Sequence, residues 1–266
     1  MDKQKYLWLT DTHLKPWTRK KLLNLILDNK SKGVFITGDI SHSAPTCIND
    51  LEFLGKRAGR KIYFVLGNHD YWLSDMSKVH NDVRSLCQKY KNLVWMTESE
   101  VQPINDDVAL IGAEGWYDAN LGDPNYLKYT LDWRLIKDFS ILSSLEERIE
   151  KFRSLSKEYT EKLIKSLSSC IDEYKTIYLL THFPPWQEAN RDAGTFMEPF
   201  WLPYNVNLTL GKALEEFMQN YKKRNLIVLS GHTHEDSWIH VSRNIECRVN
   251  KASYFGAVRN EEHIYI

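Results

Sequence analysis

Five short apolar runs in this chain stop in the same way. "YLWLT" runs into Asp11-Thr12-His13, "GVFIT" into Gly38-Asp39, and "IYFVL" into Gly67-Asn68-His69-Asp70. "TIYLL" runs into Thr181-His182, and "LIVLS" into Gly231-His232-Thr233-His234. Runs this short, rich in β-branched and aromatic residues, read as buried strands. Five of the nine histidines stand at their tips, which is more imidazole than turn chemistry requires. In an open parallel sheet the carboxyl ends of the strands share one edge, where ligand crevices form. A chain patterned like this must bring those tips together or bury them to no purpose.

The stretches between the tips support a sheet with helices. Helical spacing is present in "WTRKKLLNLILDN", in "PTCINDLEFLGKRA" with Cys47, Leu51, Leu54 and Ala58 on one face, and in "DMSKVHNDVRSLCQKY" with Val79, Val83, Leu86 and Tyr90. Strands alternating with helices argue for βαβ units and a largely parallel sheet. "NLVWMT", "VQPI" and "VALIGA" then follow with little room for helices, and the aromatic stretch 115–140 has no clear period. A long helix is expected from Ser143, which has capping-box spacing to Glu146, with Leu145, Ile149, Phe152, Tyr159, Leu163 and Leu167 as its buried stripe. A helix over "LGKALEEFMQNY" precedes the last tip, and "SWIHV", "IECRV" and "HIYI" read as antiparallel strands.

Composition bounds the partners. A 266-residue chain suits one α/β or α+β domain and can bury a core without staples. Lysine plus arginine and aspartate plus glutamate number 35 each, so bulk charge points to neither nucleic acid nor a membrane. Cys47, Cys87, Cys170 and Cys247 form no CxxC pair, which disfavours a zinc knuckle or disulfide framework and suits a reducing, cytoplasmic setting. No signal peptide, membrane-length apolar run, repeat or linker is read from the sequence.

Residues two apart in extended chain point the same way, so Asp11 can converge with His13, and His232 with His234. Gly38, Gly67 and Gly231 stand before Asp39, Asn68 and His232, where a small pocket needs a sharp backbone departure. Each residue alone has a plainer reading. Asp11 could cap a helix, Asn68 could belong to a turn, and His182 could simply hydrogen-bond. Their joint occurrence at one edge outweighs these.

Taken in order, Asp-x-His, Gly-Asp, Gly-Asn-His-Asp, an isolated His and Gly-His-x-His resemble the signature of the calcineurin-like metallophosphoesterases, over residues 11 to 234. The resemblance implies a single α/β domain over 1–266, a four-layer αββα sandwich with two mixed β-sheets. It implies one metal on Asp11, His13, Asp39 and His234, and a second on Asp39, Asn68, His182 and His232, with Asp39 bridging. It also implies that His69 approaches the substrate and that Asp70 orients it. Imidazole, carboxylate and amide ligands suit two divalent or mixed-valence ions such as Mn, Fe or Zn, or Co or Ni, better than Ca. The implied reaction is in-line attack on phosphorus by a metal-bridging hydroxide, with His69 stabilising charge and protonating the leaving oxygen.

The expected substrate is a small-molecule or nucleotide phosphoester, mono- or diester. A nuclease is disfavoured by the balanced charge. A non-catalytic metal-binding scaffold on the same fold is the other alternative, disfavoured because no ligand nor His69 is missing. Segments 116–139 and 183–206 are expected to wall the site, with Arg191 as a phosphate clamp. Trp116, Trp186 and Trp201 are expected to pack these loops in preference to stacking on a substrate ring. His42 is expected to be a bystander, and His80 and His263 to lie on the surface.

Overall fold

A computed structural model describes residues 4–192, 195–196, 200–252 and 262–266, and only the backbone of 191, 192, 195 and 196. The first half alternates strands and helices as β1 (Lys5–Leu9), α1 (Arg19–Asp28), β2 (Gly33–Thr37), α2 (Ala44–Arg57), β3 (Lys61–Val65), α3 (Met76–Lys89) and β4 (Leu93–Trp95). Then β5 (Gln102–Pro103) and β6 (Val108–Gly112) follow without a helix between them. Two single helical turns, α4 (Asp132–Leu135) and α5 (Lys137–Ser140), lead into the long α6 (Leu145–Cys170) and β7 (Thr176–Leu180). After the two-residue strands β8 (Arg191–Asp192) and β9 (Thr195–Phe196) come α7 (Leu208–Met218), β10 (Asn225–Ser230), β11 (Ser237–Ser242), β12 (Ile245–Val249) and β13 (Glu262–Tyr265).

These strands form two mixed sheets, in the orders β13-β1-β2-β3-β4 and β11-β12-β10-β7-β6-β5. Strand periodicity assigns the layers. Tyr6, Trp8, Phe35, Tyr63 and Val65 of the first sheet meet Leu110, Tyr178, Leu180 and Leu229 of the second in one buried cluster. Their sequence neighbours Leu7, Leu9, Val34, Ile36, Ile62 and Phe64 face the other way, into a cluster with Leu22, Ile26, Leu51, Val79 and Val83 of α1–α3. Ile177, Leu179 and Val228 likewise turn to a cluster that holds Phe152, Leu163, Leu210 and Leu214 of α6 and α7. The result is the expected four-layer sandwich. Near-continuous apolar strands follow from it, because both faces of each central strand are covered.

Three local expectations are corrected. The capping box of α6 is one residue further on: Ser144 Oγ accepts from Glu147 N, and Glu147 Oε2 accepts from the Ser144 amide. With this start the buried stripe runs Phe152, Leu155, Tyr159, Leu163 and Leu167, while Leu145 and Ile149 are half-buried. Second, β11 and β12 are antiparallel to each other and β13 to β1, as expected, but β12 is not antiparallel to its inner neighbour. It pairs parallel with β10 from Leu226↔Ile245 onward, because β11 lies outermost and the hairpin folds β12 into the gap between them. Third, His80 and His263 are half-buried and bonded, to Tyr71 and Asn29 respectively, since each ring finds a polar partner across its element.

Candidate metal centre

The tips of β1, β2, β3, β7 and β10 meet where the two sheets' carboxyl edges adjoin. Backbone bonds tie them together: Asp11 N donates to Gly38 O at 3.0 Å, His13 N to Asp39 O at 3.0 Å, and Gly231 N to His182 O at 3.0 Å. Convergence within each tip does not come from extended alternation. Asp11, His13, Asp39, His232 and His234 all lie in the left-handed region, with φ of 45°, 39°, 48°, 68° and 62°. Asp and His tolerate that region better than most side chains. Each tip therefore coils inward, where an extended chain would have carried the side chains past one another. Gly67 is needed for a different reason: a Cβ there would sit 2.1 Å from Asp39 Oδ1 and 2.7 Å from His182 Nε2.

The side chains then close on a small volume. His234 Nε2 is 3.2 Å from Asp11 Oδ1 and 3.2 Å from His13 Nε2. Asp39 offers one oxygen to each side, Oδ2 at 3.8 Å from His13 Nε2 and Oδ1 at 3.5 Å from His182 Nε2. Ligand atoms of Asp11, His13 and His234, and of Asp11, Asp39 and His182, lie within 4.8 Å of one another. The His232 ring stands 5.0 Å from that of His182. His69 Nε2 is 3.7 Å from Asp39 Oδ2, and its backbone amide donates to Asp39 Oδ1 at 2.9 Å.

Hydrogen bonds settle which nitrogens are bare. A carbonyl only accepts, so the 2.8 Å contact of His182 Nδ1 with Thr37 O puts the proton on Nδ1 and leaves Nε2 a lone pair. By the same reasoning the 2.9 Å contact of His232 Nε2 with Tyr204 O leaves Nδ1 bare. Asn68 donates through Nδ2 to Asp132 Oδ1 at 2.8 Å, so its Oδ1 faces His182 Nε2 at 3.1 Å. Two lone pairs aimed at one another this closely fit a cation between them. The second-layer carbonyls are of the kind that orient metal-bound imidazoles.

Charge tells the same story. Burial, chiefly, holds His182, His232 and His69 below the ordinary imidazole range and draws His13 down to about 3. Burial, with Asp11 and Asp70 close by, drives the Asp39 carboxyl well above its usual value. Burial also opposes ionisation of Asp11, but the surrounding His234, His182 and His13 hold it below the usual range. Two buried aspartates among buried imidazoles form a donor set for transition metals, whose binding would release the protons that burial retains.

Asp70 takes a different place from the one expected. Its Oδ2 accepts from Gly67 N at 3.0 Å and Ile40 N at 3.1 Å, and its Oδ1 accepts from Ser41 N at 2.9 Å. It therefore clamps the backbones of the Gly38-Asp39 and Gly67-Asn68 loops, and the His69 ring is supported otherwise. Trp72 stacks on that ring at 3.6 Å between centroids and 26° between planes. The Trp72 indole Nε1 donates at 2.7 Å to Asp132 Oδ1, the oxygen that also holds Asn68. Sequence reasoning missed Asp132, since nothing in the aperiodic stretch 115–140 marks it. It also undervalued His42, whose ring stacks on His13 at 4.8 Å and lies 6.1 Å from His69. Its place three residues after Asp39 was the available signal.

From the stretch 116–139, Asp132 accepts from Asn68, and from 183–206 the Tyr204 carbonyl meets His232. Trp116 is fully buried against Tyr71, Phe139 and Phe183, and Trp186 donates to Glu215, so these two pack loops. Trp201 is 43% exposed and meets Tyr204 edge-on. The Arg191 side chain lies outside the described residues.

With this geometry in view, comparison with known proteins is informative. The model of the calcineurin-like phosphoesterase family matches residues 5–236. No curated protein sequence matches the chain. Among solved structures, a phosphopantetheinyl hydrolase from Mycobacterium tuberculosis is similar with a TM-score of 0.64 and 14% identity, over 95% of this chain and 90% of that one. A dimetal phosphatase from Danio rerio gives a TM-score of 0.62 and 12% identity, over 100% of this chain and 93% of that one. A putative 5'-nucleotidase from Staphylococcus aureus gives 0.52 and 14%, over 94% of this chain and 49% of that one. At such identities these likenesses concern the fold. The family match over most of the chain goes further, and by it this protein belongs to the calcineurin-like phosphoesterases, hydrolytic enzymes that cleave phosphoric esters with the help of metal ions.

Proposed function

We propose that the chain hydrolyses a small-molecule or nucleotide phosphoester at a two-ion centre. Asp11, His13, Asp39 and His234 would hold one ion, and Asp39, Asn68, His182 and His232 the other. The observation that carries this reading is the placement of Asp39, a carboxylate 1% exposed with one oxygen turned to each ligand set. Only a group with two oxygens on one carbon can serve two cations while offsetting their charge. Bound divalent ions polarise a phosphoryl oxygen and acidify a water. The chain's own residues do the rest. Asp39 and Asp11 fix the negative charge, the carbonyls of Thr37 and Tyr204 keep the imidazoles in their ligating tautomers, and the partly exposed edge of His69 faces the incoming phosphoryl group. There its ring N–H can donate a hydrogen bond to a phosphoryl oxygen as charge builds on it.

Manganese, iron or zinc fits the donor set. The free cysteines, three of them buried, suit a reducing cytoplasm. No helix of the described residues is long and apolar enough to cross a membrane. The phosphatase and nucleotidase names among the similar structures support a compact phosphoester in preference to a nucleic-acid chain, as does the balanced charge.

The deciding experiment loads the protein with Mn2+ and compares p-nitrophenyl phosphate with bis(p-nitrophenyl) phosphate. Turnover of one and not the other assigns mono- or diesterase activity, and turnover of neither sinks the proposal for these substrates. Asp39→Ala is expected to lose both bound ions and all turnover. His69→Ala is expected to keep the ions and lose at least about 100-fold in kcat, in line with the removal of one hydrogen-bond donor to the transition state. A His69→Ala rate equal to wild type would remove His69 from the mechanism.

A further inference from the structure

The aperiodic stretch ahead of α6 contributes one carboxylate to the site, and it does two things at once. Asp132 is 2% exposed. Its Oδ1 accepts from Asn68 Nδ2 at 2.8 Å and from Trp72 Nε1 at 2.7 Å, and its Oδ2 accepts from Tyr117 Oη at 3.3 Å. It sits 64 residues from Asn68 in sequence and belongs to none of the ordered motifs at the strand tips.

Consider first the amide. An asparagine side chain can turn over and exchange its oxygen and nitrogen with little change of shape, but only the oxygen can bind a cation. A carboxylate accepts and cannot donate, so the orientation with Nδ2 toward Asp132 is favoured and the reverse is opposed. Asn68 Oδ1 is thereby aimed at the space shared with His182 Nε2, 3.1 Å away. Next the imidazole. His69 lies flat on Trp72, and the indole is pinned at its far end by the same Asp132 oxygen. A tilt of the indole would carry the His69 ring with it.

We infer that Asp132 is a positioning residue that aims the Asn68 oxygen at the second metal and, through Trp72, sets the plane of His69. This rests on the metal centre proposed above. Metal affinity and ester turnover are thereby tied to one buried carboxylate that contacts neither the ions nor the substrate.

The test titrates Mn2+ into the whole protein, followed by electron paramagnetic resonance, alongside steady-state kinetics on the better of the two nitrophenyl esters. Asp132→Ala is expected to bind one of the two Mn2+ ions 10- to 100-fold less tightly, the range seen when outer-shell partners are removed, with the other little changed. Asp132→Asn keeps an acceptor for both donors and is expected to bind within about 3-fold of wild type, again on the outer-shell scale. Trp72→Phe keeps the stack but frees its far end. Its Mn2+ titration is expected to match wild type while kcat falls about 10-fold at unchanged KM, as a modest misplacement would produce.

Wild-type Mn2+ affinity in Asp132→Ala overturns the inference. So does an Asp132→Asn protein as defective as Asp132→Ala, which would assign the effect to charge and not to aim. If Asp132→Ala does not fold, Trp72→Phe decides the His69 half, and an unaltered kcat there overturns it. Should the wild-type enzyme turn over neither ester, the hydrolase reading fails for those substrates, yet the titrations still report on Asp132.

Discussion

At Asp11, His13, Asp39, His232 and His234 the backbone is left-handed. A non-glycine residue held there costs on the order of 1–2 kcal/mol. Five such residues in one small volume mark a place where the fold spends stability to aim side chains, the usual signature of a functional site. The neighbouring Gly67 shows how little room is left. Its missing Cβ is replaced by Asp39 Oδ1 and the backbone N of Asp39, which would lie 2.1 and 2.5 Å from a methyl group. Gly67→Ala is therefore expected to push Asp39 out of its place between His13 and His182. The rate should fall by about 100-fold, as an ångström of misplacement can produce, with far-ultraviolet circular dichroism unchanged. A fully active Gly67→Ala enzyme would show that Asp39 has slack that the geometry denies it.

Among the elements, α6 is the clearest case of local sequence deciding local structure. Ser144 and Glu147 satisfy each other's end of the helix, and Ser143 also donates to Glu147 through its amide and hydroxyl. The apolar stripe then repeats at three- and four-residue steps against the core. Ser144→Ala is expected to cost about 1 kcal/mol and Phe152→Ala about 3–5 kcal/mol, both read as shifts of the urea midpoint with the slope unchanged. Neither should alter KM, because α6 touches the site only through the layers beneath it. Strand direction is another matter. The alternating burial of "SWIHV" and "IECRV" shows that they are strands, and says nothing about which neighbour β12 will face. That was decided by the unfilled edge of β10.

For the molecule as a whole, the centre adds polar ties between two sheets that pack through a largely apolar cluster, alongside the Glu114 carboxylate that holds Trp95 and the Leu66 amide. His182 from β7 reaches Thr37 O at the end of β2, and His232 N donates to both Asp11 oxygens across the gap. Ions bound here would cross-link the halves of the sandwich and stabilise only the folded form. At free metal one hundred times the dissociation constant, each site adds about 2.7 kcal/mol. For a chain of this size, stripping the ions with a chelator is expected to lower Tm by roughly 5 °C or more, and restoring Mn2+ should return it. The Asp39→Ala protein should show no such difference between chelated and Mn2+-loaded samples.

Sequence alone determined the strands, the helices that alternate with them, and the kind of chemistry gathered at the strand tips. Those follow from short-range rules: apolar period, turn residues, and the small set of side chains able to bind metal ions. The tertiary structure alone decided how the tips coil, that Asp70 holds two backbones together, and that Asp132 and Trp72 stand behind Asn68 and His69. These depend on contacts between residues tens to hundreds of positions apart. No local pattern encodes which distant donor a buried carboxylate will meet, because that is settled only when the two sheets pack.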